Sequence, residues 1–239
     1  MAFGSDGRYM SNAQADAAQI DVGLRQYMLR VYNYMASGLA LTGLVALMVV
    51  SSDTAIQVIF GTPLRWVVIF APFGLVLFLS ARINRMQAST AQALFWVYSA
   101  LMGASLSSVF LIYTHESVAR VFFITAASFA ALSLYGYTTK RNLTAIGSFL
   151  VMGLFGLIIA SVVNMFVHSS GLQFLISAAG VLVFSGLTAW DTQKIKEIYW
   201  AGDNSETATK KAVMGALALY LDFVNLFLML MRLMGNRRS

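Results

Sequence analysis

Apolar residues gather in seven long runs, at 31–51, 66–81, 91–113, 118–138, 144–167, 172–191 and 212–234, divided by short polar breaks. About 20 mostly apolar residues suffice for a helix to cross ~30 Å of hydrocarbon. The pattern therefore predicts an all-α integral membrane protein with seven spans. The second run is short and contains Pro72. The fifth and sixth are separated only by "HSSG", His168 to Gly171, and no charged residue occurs from Asn142 to Trp190, so that stretch must be two spans around a tight turn. The last run is long enough to span, although a segment that dips in and returns also fits, leaving six spans and a partial seventh. Ahead of the first run, Ile20, Leu24, Tyr27, Met28 and Val31 recur at helical spacing. They predict a short amphipathic helix at the membrane interface that feeds the first span. The domain division is a polar N-terminal segment, 1–30, and a membrane domain, 31–239.

Composition supports this reading. Of 239 residues 59% are hydrophobic and only 11% are charged, against about 25% charged in soluble domains. Such a chain cannot cover a water-facing surface, and its environment is the lipid bilayer. The 18 glycines suit close helix packing; "GLFG" and "GASLSS" read as packing surfaces. With no cysteine, disulfides, thiolate metal sites and cysteine nucleophiles are excluded. No apolar stretch with a cleavage site opens the sequence, so no removable signal peptide is expected. The net charge of +6 is scattered in short loops, which argues against nucleic-acid binding and for membrane topology. With the N-terminus cytoplasmic, 11 of the 16 Lys and Arg lie on the cytoplasmic side and 5 opposite, which satisfies the positive-inside rule.

Two carboxylates interrupt the apolar pattern. Asp222 lies within "ALYLDFVNLFLML", Ala218 to Leu230, and Asp191 closes the sixth run in "GLTAWDTQKI", Gly186 to Ile195. A charge at a bilayer centre costs roughly 2.5–3.5 kcal/mol on insertion scales and is most often functional. At 1.5 Å per residue Asp222 lies about 12–16 Å inside its segment, while Asp191 is expected nearer the interface. For the two to meet, helix six must sit deep or helix seven must begin late. Two carboxyl groups in one apolar site cannot easily both ionise, and such a pair titrates as a unit. That arrangement is a pH switch without histidine. It could also hold Ca²⁺ weakly and transiently, since Ca²⁺ prefers six to eight oxygen ligands. The structural alternatives are an interfacial helix-end role for Asp191 and a hydrogen-bonding strut for Asp222. Arg82, ending the second run in "LSARINRM", is a candidate latch to the pair or a charge that snorkels to headgroups. Asn225, three residues past Asp222, shares its face and could support it by a hydrogen bond. His115 and His168 lack metal-ligand spacing, so no resident cofactor is expected.

Intramembrane aspartyl proteases also place aspartates in helices six and seven. They require Tyr-Asp and Gly-x-Gly-Asp, whereas Trp190 and Leu221 precede the aspartates here and no proline follows Pro72. A retinal protein needs a lysine inside the last helix, and Lys210 and Lys211 only flank it. No enzyme chemistry is expected. "FSGLTAWDTQKIKEIY", Phe184 to Tyr199, with "ALALYLDFVNLFLMLMRLMG", Ala216 to Gly235, resembles instead the Bax inhibitor (TMBIM) family, in its bacterial, YccA-like branch. "FWVYSALMGASLSSVFLIYT", Phe95 to Thr114, resembles the family's third helix, and the likeness runs from Tyr27 onward. The resemblance implies a seven-helix bundle with the last helix central, wrapped by the other six. It also implies a pH-sensitive Ca²⁺ leak at Asp191 and Asp222, with Arg82 the nearest match to a second-helix latch, in a bacterial inner membrane. Some bacterial members instead partner the membrane-anchored AAA protease FtsH, a role for which the polar first 30 residues are the natural candidate.

Overall fold

The computed structural model describes residues 12–238, with side chains from Val22 onward. Among the described residues eight α-helices follow in order: α1 (Asn12–Val50), α2 (Asp53–Phe60), α3 (Leu64–Arg82), α4 (Ala88–Ile112), α5 (His115–Thr138), α6 (Thr144–Val167), α7 (Ser170–Glu197) and α8 (Ser205–Met234). All but α2 contain a stretch long and apolar enough to cross a membrane. The helix ends are written in local chemistry. Thr114, Ser169 and Asn204 each accept a hydrogen bond from a first-turn N–H of α5, α7 and α8, satisfying donors that have no partner within the helix. Between α6 and α7, His168 takes the left-handed conformation (φ 52°) that ends α6, and Asn164 accepts from the Ser169 N–H. The tight turn expected at "HSSG" is built this way.

The layers differ from an even wrap of six helices around one. α8 is the central helix, packed by α1, α4, α5 and α7, while α3 packs on α4 and α6 on α7 as outer members. Burial follows the same order: the outward residues of α6, among them Phe149, Met152, Phe155 and Phe166, are widely exposed to lipid, whereas most of α8 from Ala212 to Phe227 is buried. Backbones approach closely where glycine permits. Gly103 of α4 lies on the Thr42 carbonyl of α1, and Gly136 of α5 on the Ala189 carbonyl of α7. Any side chain at either glycine would collide with backbone of the facing helix. The "GASLSS" packing surface is thus present, but "GLFG" is only half used, since Gly153 meets Val183 and Gly156 faces open space.

Two expectations change at the ends of the chain. The amphipathic segment before the first span is not a separate interfacial helix, because α1 runs unbroken from Asn12 to Val50. The apolar face that suggested interfacial binding is covered by protein: Tyr27, Met28 and Val31 are buried in the core, and Tyr27 packs on Tyr199. The periodicity was real, but its partner is the rest of the bundle. Residues 1–11 of the polar segment lie outside the described residues. At the other terminus, the last helix crosses rather than dipping and returning. Residues after α8 pair with the α4–α5 turn through Thr114 N–H to Asn236 O and Arg238 N–H to Ile112 O, and the Arg120 guanidinium of α5 donates to the Met234 carbonyl at the end of α8. That turn lies at the opposite end of the bundle from the α7–α8 loop, where α8 begins.

Candidate functional site: a carboxyl pair between α7 and α8

The register of α7 against α8 decides whether the two aspartates meet. Ile195 packs on Gly215, and Gly180 receives Met229. The two contacts fix an antiparallel register that puts Asp191 and Asp222 within about one helical turn of the same level. That register turns their carboxyl groups toward the same α7–α8 contact, with no hydrogen bond formed by Asp222 Oδ2. The depth conflict is resolved by the lengths of the helices. α7 continues to Glu197, so Asp191 lies six residues inside its end and is no helix-end residue. α8 does not begin late. It starts at Ser205, and Lys211 already stands level with the end of α7, where its Nζ donates to the Ile198 carbonyl and pairs with Asp203.

The two acids have unequal surroundings. Asp222 is 5% exposed, and its Oδ2 has no hydrogen-bond partner. Asp191 is half-buried. Neighbouring hydroxyls are already engaged. Thr188 and Thr192 donate back to the Phe184 and Thr188 carbonyls of α7, and Thr192 Oγ1 also meets Ser133 Oγ of α5 at 2.9 Å. Ser133 in turn lies 2.5 Å from the Tyr32 hydroxyl of α1. The site is therefore a carboxyl pair in an otherwise satisfied wall. One side of that wall is hydrogen-bonded from α7 through α5 to α1. Among the described residues no group of three or more His, Cys, Asp or Glu is placed to hold a metal ion.

Two sequence-predicted members are not at the pair. Arg82 ends α3 exposed, forms no ion pair among the described residues, and belongs to an outer helix that meets the bundle through α4. This structure does not bring Arg82 to the pair, and sequence order does not convey which helices lie outermost. Asn225 shares a face with Asp222, but its amide donates to the Leu221 carbonyl at 2.8 Å and gives the aspartate nothing. The cation that shares a helix face with Asp191 is Lys194, three residues further on. It stands one turn further along α7 and its Nζ lies 5.0 Å from the Trp190 ring centre. The i, i+3 spacing of Asp191 and Lys194 was legible, but the lysine read as an ordinary topology charge. Gln193 was also missed. It accepts from the Leu143 N–H and donates to the Arg141 carbonyl, tying the α5–α6 turn to α7.

The family model for the inhibitor of apoptosis-promoting Bax1 matches residues 24–239. An uncharacterized protein of Rickettsia prowazekii is 54% identical, with 92% of this chain and 93% of that one aligned. The inner membrane protein YbhL of Escherichia coli K12 is 46% identical over 90% of this chain and 94% of its own. An uncharacterized protein of Caulobacter vibrioides is 45% identical over 97% of both. With both aspartate-bearing helices inside the matched region, this chain belongs to the Bax inhibitor family.

Proposed function

We propose that this protein is a pH-regulated, Ca²⁺-permeable leak channel or transporter, governed by Asp191 and Asp222. The observation that carries the reading is the meeting of two carboxyl groups between α7 and the central helix, one of them with a buried, unpartnered oxygen. A stability role gives no reason to leave that oxygen unpaired, since an unsatisfied buried polar group costs about 1–3 kcal/mol. Sharing one proton joins the carboxyls and favours one conformation. Losing it sets two negative charges against each other in a low-dielectric site, which changes the geometry of the pair and attracts a cation. Two carboxyls offer Ca²⁺ too few oxygens for a resident site, so the ion passes with water completing its shell, and flux is slow. Lys194 is the counter-charge on the same helix face as Asp191. The setting is the bacterial inner membrane with the N-terminus cytoplasmic, by the positive-inside count and the printed location of YbhL.

The test is Ca²⁺ flux into liposomes holding purified protein at pH 6, 7 and 8, for wild type, Asp191→Asn and Asp222→Asn. A pH-dependent wild-type flux, with that dependence lost in both variants, is expected. Equal silence or equal leakiness in all three sinks the reading. It would leave a regulatory partnership with an FtsH-type protease to be sought through deletion of residues 1–26.

A further inference from the structure

α1 and α5 both flank α8 but do not pack along each other. The seam between them opens into a cavity of about 530 Å³, lined on α1 by Arg25, Met28, Leu29 and Tyr32, and on α5 from Phe129 to Tyr137. Leu29, Ala130 and Leu134 on its walls are exposed, so the cavity opens sideways to lipid. From Phe129 to Tyr137 the α5 axis advances about 12 Å, close to half of a ~30 Å hydrocarbon core and hence to the depth of one leaflet. The polar groups are graded along this depth. Arg25 lies at one end, where Lys196 of α7 also stands, its Nζ donating to the Tyr137 carbonyl and lying 5.2 Å from that ring centre. Among the described residues no carboxylate lines the cavity. Deeper, the walls are apolar apart from the Tyr32–Ser133 hydroxyl bridge.

We infer that this cleft is a binding site for an anionic glycerophospholipid, with one acyl chain between α1 and α5 and the phosphate at Arg25. A guanidinium beside an apolar slot of one-leaflet depth fits a headgroup phosphate above its own chain. The Tyr32–Ser133–Thr192 hydrogen bonds then link the lipid-lined seam to the residue next to Asp191. The inference needs the membrane setting but no ion flux, so it stands or falls apart from the leak reading.

The experiment is photocrosslinking in nanodiscs of the full-length protein, with phosphatidylglycerol or phosphatidylcholine carrying a diazirine in the acyl chain, mapped by peptide mass spectrometry. Adducts from phosphatidylglycerol on residues 25–32 and 129–137 should exceed those from phosphatidylcholine several-fold. The exposed face of α6 around Phe149 and Phe155 serves as an internal reference for ordinary lipid contact and should show no headgroup preference. Arg25→Gln should reduce the preference to the phosphatidylcholine level. Ala130→Trp, which fills the slot, should remove the cleft adducts while those on α6 persist. Equal labelling of cleft and α6, or equal labelling by the two headgroups in the wild type, would overturn the proposal without requiring any variant to fold.

Discussion

Replacing Asp222 by leucine separates a functional carboxyl from a structural strut. In the folded protein the carboxyl is 5% exposed and its Oδ2 is unpaired. Leucine removes that unsatisfied atom, a gain of about 1–3 kcal/mol, and forfeits the proposed proton-sharing contact with Asp191, a loss of about 0.5–1.5 kcal/mol. Asp191, half-buried rather than buried, is not stranded by the change. The net expectation runs from about 0.5 kcal/mol of destabilisation to about 2.5 kcal/mol of stabilisation. The assay is thermal unfolding in detergent, followed by tryptophan fluorescence, with Trp190 adjoining the site, and by Ca²⁺ flux on the same preparation. Asp222→Leu should melt at or above the wild-type temperature and lose pH-dependent flux. A loss of more than about 3 kcal/mol, the range seen when one partner of a buried network is removed, would refute the reasoning. The aspartate would then be a strut on which the fold depends.

Four further outcomes follow from the geometry. Because the chain has no native cysteine, Lys140→Cys and Arg238→Cys can be labelled cleanly in sealed vesicles, and they should react from opposite sides; reaction from one side would mean that α8 does not cross. Gln193→Leu strands the Leu143 N–H and the Arg141 carbonyl, which should cost about 1–3 kcal/mol and speed hydrogen exchange at Leu143. Gly136→Ala drives a methyl into the Ala189 carbonyl and should lower stability by about 1–3 kcal/mol through overpacking, read as a reduced melting temperature. His168→Gly relieves a left-handed residue and should raise stability by up to about 1 kcal/mol, an effect absent if its ring contact with the Phe166 carbonyl contributes more.

The spans were legible because membrane helices announce themselves by length and apolarity. The seven runs match α1 and α3 to α8, with the last and the sixth extended by polar turns that hydropathy does not see. Those turns carry Lys194 and Lys211, and without them the depths of Asp191 and Asp222 do not reconcile. The short α2 was missed because eight residues cannot span and its helix rests on one cap, Ser52. Arg82 and Asn225 failed for a different reason. Apolar pattern says which residues avoid water but not whether they face lipid or protein, since both are equally apolar. α6 and α8 look alike as hydropathy, yet one lies at the rim and the other at the centre. Partners across helices, such as Gln193 with the Leu143 N–H, depend on that missing distinction.

The same distinction explains how Asp222 is tolerated. On α6 an aspartate would face hydrocarbon and be compelled to snorkel or unfold the helix. On α8 it faces α7, whose Thr188 and Thr192 already satisfy their hydroxyls on their own backbone and therefore offer it no donor. The register brings another carboxyl to the same level, and two carboxyls can hydrogen-bond only by holding a proton between them. An apolar or amide residue at 222 would make a simpler helix interface. On the proposed function, retaining two acids that satisfy each other only through a shared proton makes the contact between α7 and the central helix conditional on protonation, and that condition is what a fixed structural strut would avoid.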